Sequence, residues 1–256
     1  MQVLLLGAGT VTSRLNMQLA EQGRIDLDAP LTRYLPGFSM RVRFADAAPI
    51  TPRNLLTHHA GLPGDYLKGM WTRHPAPFAQ VIPQLKTEYA SYPPNLVYSY
   101  SNLGYTLLGS LIEKASGQDY AAYLNAAVLA PLGMTDSIFA IDPGREPQLA
   151  VGYRQDKPGA ERYFLRDVPA GALFSSAADM SRFIRVLLAD GQTDTQALVR
   201  PDTLREMWRA QNSDVPLDMD HRVGLGWMLG QKELDYAGPV VHHNGGTLGA
   251  ASELIV

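Results

Sequence analysis

The chain has 256 residues, enough for one large domain or two lobes sharing a substantial core. Its 46% hydrophobic and 18% charged content excludes a disordered polymer, and a net charge of −3 gives no reason for a nucleic-acid or anionic-membrane partner. With no cysteine, disulfides, thiolate metal sites and cysteine nucleophiles are excluded.

The opening "MQVLLLGAGTVTSRLNMQLAEQG" reads as a strand, a Gly7-Ala8-Gly9 turn and a helix stopped by Gly23. Its apolar run is shorter than the roughly 18 residues of a membrane span and has no basic region before it, so neither a span nor a signal peptide is read. A dinucleotide-binding turn needs glycines so that the backbone can approach a pyrophosphate at a helix N-terminus. The third glycine is missing from Gly7-x-Gly9-x-x-Thr12. "RIDLD" offers a second strand ending in Asp26 or Asp28, but no parallel repeats follow, and no cofactor is expected.

Thr51 and Pro52 mark a capped short helix that runs into a Gly- and Pro-rich loop carrying His58 and His59. Five prolines in residues 75–94 predict one or two helices set between loops. "SNLGYTLLGSLIEKASG" is an amphipathic helix capped by Ser101 or Asn102 and closed by Gly117. "YAAYLNAAVLAPLG" predicts a further helix stopped at Pro131 and Gly133. Beyond residue 140, "GALFSSAADMSRFIRVLLADG" reads as strand, capped turn and helix, and "RPDTLREMWRAQ" as helix. "RVGLGWMLGQ", "LDYAGPVVHHN" and "AASELIV" predict three strands of an antiparallel meander. The sum is an α+β fold, a helical lobe followed by helices on an antiparallel sheet, and not an alternating βαβ chain.

Two short motifs bear on chemistry. Tyr100-Ser101-Asn102 stands immediately before an amphipathic helix, where the plain alternative is a packed tyrosine beside a helix cap. His243-Asn244-Gly245-Gly246 ends a strand in glycines, which lets a ligand reach backbone N–H groups; the plain alternative is a tight hairpin. His58, His59, His242 and His243 form two adjacent pairs, a poor match to zinc-ligand spacing, and the first pair is read as loop packing or pocket wall.

Taken together, "MQLAEQGRIDLDAPLTRYLPGF", "ITPRNLLTHHAGLPG", "YSYSNLGYTLLG", "LAPLGMTDS", "PAGALFSSAADMSRFIRVLL", "RVGLGWML" and "VVHHNGGTLGAASEL" resemble, in order and spacing, the serine β-lactamase-related family. That family includes class C β-lactamases, D-alanyl-D-alanine carboxypeptidases and related esterases, and the resemblance runs from about Asn16 to Val256. It implies a β-lactamase/transpeptidase-like fold, with an atypical opening over residues 1–15 and the family domain over 16–256. Within that domain the helical lobe would span about 30–140, and the α/β lobe about 141–256 together with 16–29.

The resemblance implies acyl transfer through a serine ester. A Ser-x-x-Lys motif would place nucleophile and base on one helix face, since positions i and i+3 are neighbours. Tyr100 would exchange protons, Asn102 would orient substrate, and His243, Gly245 and Gly246 would line the opposite wall near the oxyanion. Counted back from "MQLAEQG", the serine and lysine fall on Leu6 and Gly9, so the first motif is absent. The nearest serine, Ser13, sits seven residues late, about 10 Å along a helix, with Asn16 where a lysine belongs. With no lysine beside it, Tyr100 is expected to titrate as an ordinary phenol, near pH 10. Compared with that family, both ends look shortened.

The expected ligands are small: an ester, a β-lactam or a D-alanyl peptide. His243, neutral where lactamases have lysine, favours esterase- or peptidase-like chemistry over β-lactam hydrolysis. A catalytically inactive ligand-binding relative or a partial gene product is the alternative, and an NAD-binding opening fused to a hydrolase body a third reading. Relatives are often periplasmic or secreted; compartment and oligomeric state stay open.

Overall fold

The computed structural model describes residues 4–6, 9–139, 146–154, 157–158, 163–193, 197–247 and 249–256. Gly7 and Ala8 of the opening turn lie outside them. The strand β1 (Leu4–Leu6) leads into the helix α1 (Gly9–Glu21), which ends where Gly23 turns the chain at φ 68°. Val11, Leu15 and Leu19 of α1 enter the core, and so do Thr12, Ser13 and Asn16, so this helix is buried nearly all round. Such a helix is central to its fold rather than laid on its surface.

The helix α2 (Pro52–Leu56) begins as its sequence predicts. Thr51 caps it, and the Asn54 side chain reciprocates to the Thr51 backbone N–H in a capping box. The predicted helices of residues 75–94 prove to be a single 3-10 run, Phe78–Thr87, because Pro83 inside it removes an α-helical donor. The helix α3 (Asn102–Ser116) is capped by Ser101, whose Oγ accepts the Gly104 N–H, and closed by Gly117 at φ 74°. The helix α4 (Tyr120–Leu124) continues as a π-turn, Asn125–Leu129.

The α5 turn (Val168–Gly171) crosses α3 so closely that a Cβ on Gly109 would lie 2.0 Å from Pro169 Cγ. Only glycine permits that approach. The helices α6 (Ala177–Leu188) and α7 (Pro201–Met207) complete the set, α6 capped by Ser176. One continuous apolar core runs from Val11 through Leu55, Leu107, Tyr120 and Phe183 to Leu254. Each fully buried leucine or phenylalanine in it contributes about 1.5–3 kcal/mol.

Two short pairs, β2 (Trp71–Thr72) with β5 (Phe164–Leu165) and β3 (Tyr153–Arg154) with β4 (Lys157–Pro158), are antiparallel. The strand β1 pairs antiparallel with β6 (Leu173–Ser175) and also lies against the last two strands. The main sheet holds β7 (Arg222–Val223), β8 (Met228–Leu229), β9 (Val241–Thr247) and β10 (Ala250–Ile255) in the order β10-β9-β8-β7, all antiparallel.

The predicted meander is thus present, with four strands rather than three. "RVGLGWMLGQ" is folded in two by a tight turn at Gly224–Trp227, with Gly226 at φ 83°. The start of "LDYAGPVVHHN" is 3-10 (Lys232–Ala237), and the strand begins only after Gly238 and Pro239. The opening does not build a dinucleotide unit. β1 has an antiparallel partner, and "RIDLD" is turn rather than a second strand. A pyrophosphate turn requires a parallel β-α-β crossover.

Candidate active site

Three segments converge on one face: the start of α1, the loop 58–65 with the start of α3, and β9. The loop and α3 are stitched together by backbone hydrogen bonds from Ser99 N to His58 O and from Leu103 N to Gly64 O. Ser101 adds a bond from its Oγ to Pro63 O at 2.7 Å. This holds Tyr100 and Asn102 on either side of the helix cap.

His58 sits at φ 60°, with its Nδ1 accepting the Ser101 N–H at 3.0 Å, which leaves the ring proton on Nε2. Its imidazole lies between two tyrosine rings, Tyr100 at 4.2 Å and Tyr105 at 5.0 Å, both near parallel, with Tyr98 edge-on at 5.7 Å. Burial, and then the neighbouring histidines His243, His59 and His221, hold its pKa well below the usual histidine range. It is therefore neutral near pH 7 and serves as a wall of the site.

Tyr100 lies at the rim, 37% exposed, its ring 6.3 Å from that of His243. Burial of its hydroxyl region, with the negative charge of Asp65 nearby, pushes its pKa up to about 12. The expectation of an ordinary phenol is therefore corrected: Tyr100 is harder to ionise than a free tyrosine, because no cation offsets its desolvation. Asn102 donates from Nδ2 to Asp65 Oδ1 at 3.0 Å.

On the opposite side, His243 is buried in β9 and donates from Nδ1 to Asn244 O at 2.6 Å. The carbonyl can only accept, so Nε2 carries a lone pair, and it has no partner. Burial lowers this histidine's pKa as well. Gly9 stands directly across, where a Cβ would lie 3.2 Å from His243 Nε2 and 3.4 Å from Tyr105 Cε1. Gly245 and Gly246 pair with Ser252 and Ala251 of β10, whereas the ladder from β8 ends at His242. Past that point β9 presents an edge that β8 does not pair, and the hairpin turn comes only at Gly249.

Ser13 is fully buried. Its Oγ lies 2.9 Å from Gly9 O and 3.0 Å from Tyr105 OH, and Tyr105 OH lies 3.2 Å from Leu56 O, so the two hydroxyl protons satisfy two of these three contacts at a time. The turn at Gly226 is packed on top of it, so tightly that a Cβ there would meet Ser13 Oγ at 1.8 Å. Ser13 therefore has no route to a ligand, and Asn16, also buried, donates to Thr12 O rather than to anything in the cleft.

Four residues of this region were not singled out by motif: Tyr105, Asp65, Asp218 and Asn212. Tyr105, in the first turn of α3, stacks on His58 and lies 3.0 Å from Ser13 Oγ through its hydroxyl. Asp218 is buried and accepts from His59 Nε2 at 2.7 Å, from the Tyr98 N–H at 2.6 Å and from Asn212 Nδ2. His59, adjacent to the wall residue His58, thus belongs to the framework behind the cleft. Among the described residues, no group of three or more His, Cys, Asp or Glu could hold a metal ion, and no helix is long and apolar enough to cross a membrane.

The fold and its Tyr-x-Asn and His-x-Gly walls define a domain of the β-lactamase and penicillin-binding-protein kind. Residues 10–256 match the Beta-lactamase family, and the chain belongs to it. The D-alanyl-D-alanine-carboxypeptidase/endopeptidase AmpH of Escherichia coli K12 is 30% identical over 229 residues, covering 85% of this chain and 58% of AmpH. Penicillin-binding protein 4* of Bacillus subtilis is 29% identical over 260 residues, covering 93% of this chain and 53% of the relative. The chain thus spans little more than half the length of these relatives. A β-lactamase/D-alanine carboxypeptidase from Yersinia pestis, solved with citrate, superposes with a TM-score of 0.80 at 22% identity, over all of this chain and 74% of the other. The octameric penicillin-binding protein homologue of Pyrococcus abyssi gives 0.77 at 23%, over all of this chain and 59% of the other. These two structures support the fold. The family match begins at Thr10, one residue past Gly9.

Proposed function

We propose that this chain carries the acyl-substrate cleft of a serine-hydrolase relative, shaped for an ester or a D-alanyl amide, and that in its present sequence the cleft binds such a ligand without forming an acyl-serine. Family membership, and the naming of AmpH as a carboxypeptidase/endopeptidase, support the substrate class. The observation that carries the second half is Gly9 opposite His243 Nε2, the place where the family register puts the lysine of Ser-x-x-Lys. The serine position falls on Leu6.

In this reading Tyr100 meets the leaving-group side of the ligand with a protonated hydroxyl, and Asn102 orients its acyl portion. Gly245 and Gly246 are successive residues of β9 whose N–H groups point to opposite edges, so the one facing away from β10 would be the donor offered to a polarised carbonyl oxygen, a role that depends on preorganised dipoles rather than on a nucleophile. His243, neutral and buried, offers no ammonium to a carboxylate, which supports esters and uncharged amides over β-lactams. Ser13 cannot stand in as nucleophile, since misplacement by even ~1 Å can reduce rates a hundredfold and Ser13 is sealed from solvent.

The test is intact-mass spectrometry of wild-type protein and Ser13→Ala after exposure to a fluorophosphonate and, separately, an activated ester, with ligand-observed NMR on D-alaninamide derivatives. Binding without a mass adduct is expected. A stoichiometric adduct on wild type would show that the chain carries a working nucleophile.

A further inference from the structure

Three imidazoles stand edge-on to the Tyr98 ring, His221 at 4.4 Å, His58 at 5.7 Å and His59 at 6.0 Å, and His243 faces them from β9. Their nitrogens are engaged differently, so they respond differently to a proton. His59 has its Nε2 on Asp218, where an added charge meets a carboxylate already in place. His243 keeps its Nδ1–H on Asn244 O and has a free lone pair on Nε2, so protonation breaks no hydrogen bond it makes. His221 is exposed. His58 alone is trapped: Nε2 carries its ring proton, and Nδ1 accepts the Ser101 N–H at 3.0 Å. A second proton has only Nδ1 to go to, and there it would set one N–H against another.

Ser101 is the residue between Tyr100 and Asn102, it caps α3, and it is buried, so its N–H has no solvent to turn to once His58 lets go. The groups facing the His58 ring are Tyr98 and Tyr100 on the segment before α3, Tyr105 on α3, His59 on its own loop, His221 on the loop 212–221 and His243 on β9. Asp218 is engaged by His59, and among the described residues no carboxylate pairs with His58. We infer that His58 is a proton-operated latch: its neutral ring pins Ser101, and with it the Tyr100–Asn102 wall, and a proton taken from solvent at Nδ1 releases that wall. Burial and the neighbouring histidines hold the ring's pKa below the ordinary value in the closed form. A depressed group of this kind stabilises the closed wall fully above about pH 6.5, and opening takes up one proton as the pH falls below that value. As regulation of the cleft this rests on the reading above, whereas the latch itself requires no ligand.

The experiment is hydrogen–deuterium exchange on the ligand-free chain, corrected for the intrinsic pH dependence of amide exchange, with residues 98–105 followed against α6 as reference. Protection of 98–105 should fall close to tenfold between about pH 6 and pH 5, while that of α6 changes by less than about twofold. His58→Asn offers Ser101 a carbonyl oxygen that takes no proton, on a residue type that tolerates the φ of 60° found here. It should flatten the fall to within about twofold, whatever its protection at neutral pH, and His221→Gln should leave the fall in place. No fall in wild type, an equal fall in both segments, a fall that survives His58→Asn, or one that disappears with His221→Gln overturns the latch. The comparison of the two wild-type segments stands even if a variant misfolds. Because no ligand enters, failure here leaves the cleft reading standing, and a cleft that binds nothing would leave the latch standing.

Discussion

Removal of the Asp218 carboxylate should loosen the framework behind the cleft more than any other single polar deletion there. Its side chain is fully buried and accepts three hydrogen bonds, from His59 Nε2, the Tyr98 N–H and Asn212 Nδ2. These tie the loop 212–221 to the histidine loop and to the strand-like segment that carries Tyr98 and Tyr100. Asp218→Ala leaves the Tyr98 N–H and His59 without partners in a dry site, while Asn212 retains His221 O at 2.9 Å. An orphaned buried donor costs about 1–3 kcal/mol, and two are orphaned here, so a loss of ~4 kcal/mol is expected. For a domain of this size that corresponds to a drop in Tm of roughly 10 °C.

The pH dependence has a definite sign. Burial pushes the Asp218 pKa up, but hydrogen bonds from Asn212, the Tyr98 N–H and His59 together outweigh it and hold the group below its ordinary 3.8. A carboxylate with a depressed folded pKa stabilises above its unfolded value, and that contribution vanishes as pH falls through the folded one. The Tm gap between wild type and Asp218→Ala, read by circular dichroism, should be full at pH 6–7 and shrink below about pH 4. A gap under about 2 °C at neutral pH, or one that widens on acidification, would refute the reasoning.

Two further outcomes are expected. Ultraviolet absorbance titration of Tyr100, read as the difference between wild type and Tyr100→Phe, should show a phenol ionising near pH 12; a value at or below 10 would mean that a cation reaches it. Gly109→Ala should cost about 1–3 kcal/mol in a urea titration, because its methyl would lie 2.0 Å from Pro169 Cγ where α3 crosses α5, and an unchanged midpoint would mean that this crossing is not tight.

Much of the fold was legible because local chemistry agreed with the final structure. Thr51-Pro52, Ser101 with Gly117, and Ser176 each announce a helix end that the structure keeps, and the alternation in the last forty residues gave the antiparallel sheet. What misled was glycine and proline inside apolar runs. "RVGLGWMLGQ" has the apolar content of one strand, yet Gly226 at φ 83° folds it back on itself, and Pro83 turns a helical pattern into 3-10. In the site, Tyr100, Asn102 and His243 were visible as motif residues. Tyr105, Asp65 and Asp218 were not, because their roles depend on contacts such as Ser13–Tyr105 and His59–Asp218, separated by 92 and 159 residues. Burial also raised Tyr100 beyond what its neighbours in sequence suggest, since desolvation is a property of the packed state.

The account holds that the Tyr100, Asn102 and His243 walls are in place and that the reactive pair is wanting at position 6, which ends β1 opposite Leu173, and at position 9, which begins α1. Restoring that pair as Leu6→Ser with Gly9→Lys tests this most directly, the new lysine entering where a Cβ would stand 3.2 Å from His243 Nε2. Intact-mass spectrometry after a fluorophosphonate, on chains shown folded by circular dichroism, should find wild type and Ser13→Ala unmodified. The double variant should carry one adduct, mapped by peptide analysis to residue 6. An adduct on wild type, or a folded double variant that stays unlabelled, would contradict the account.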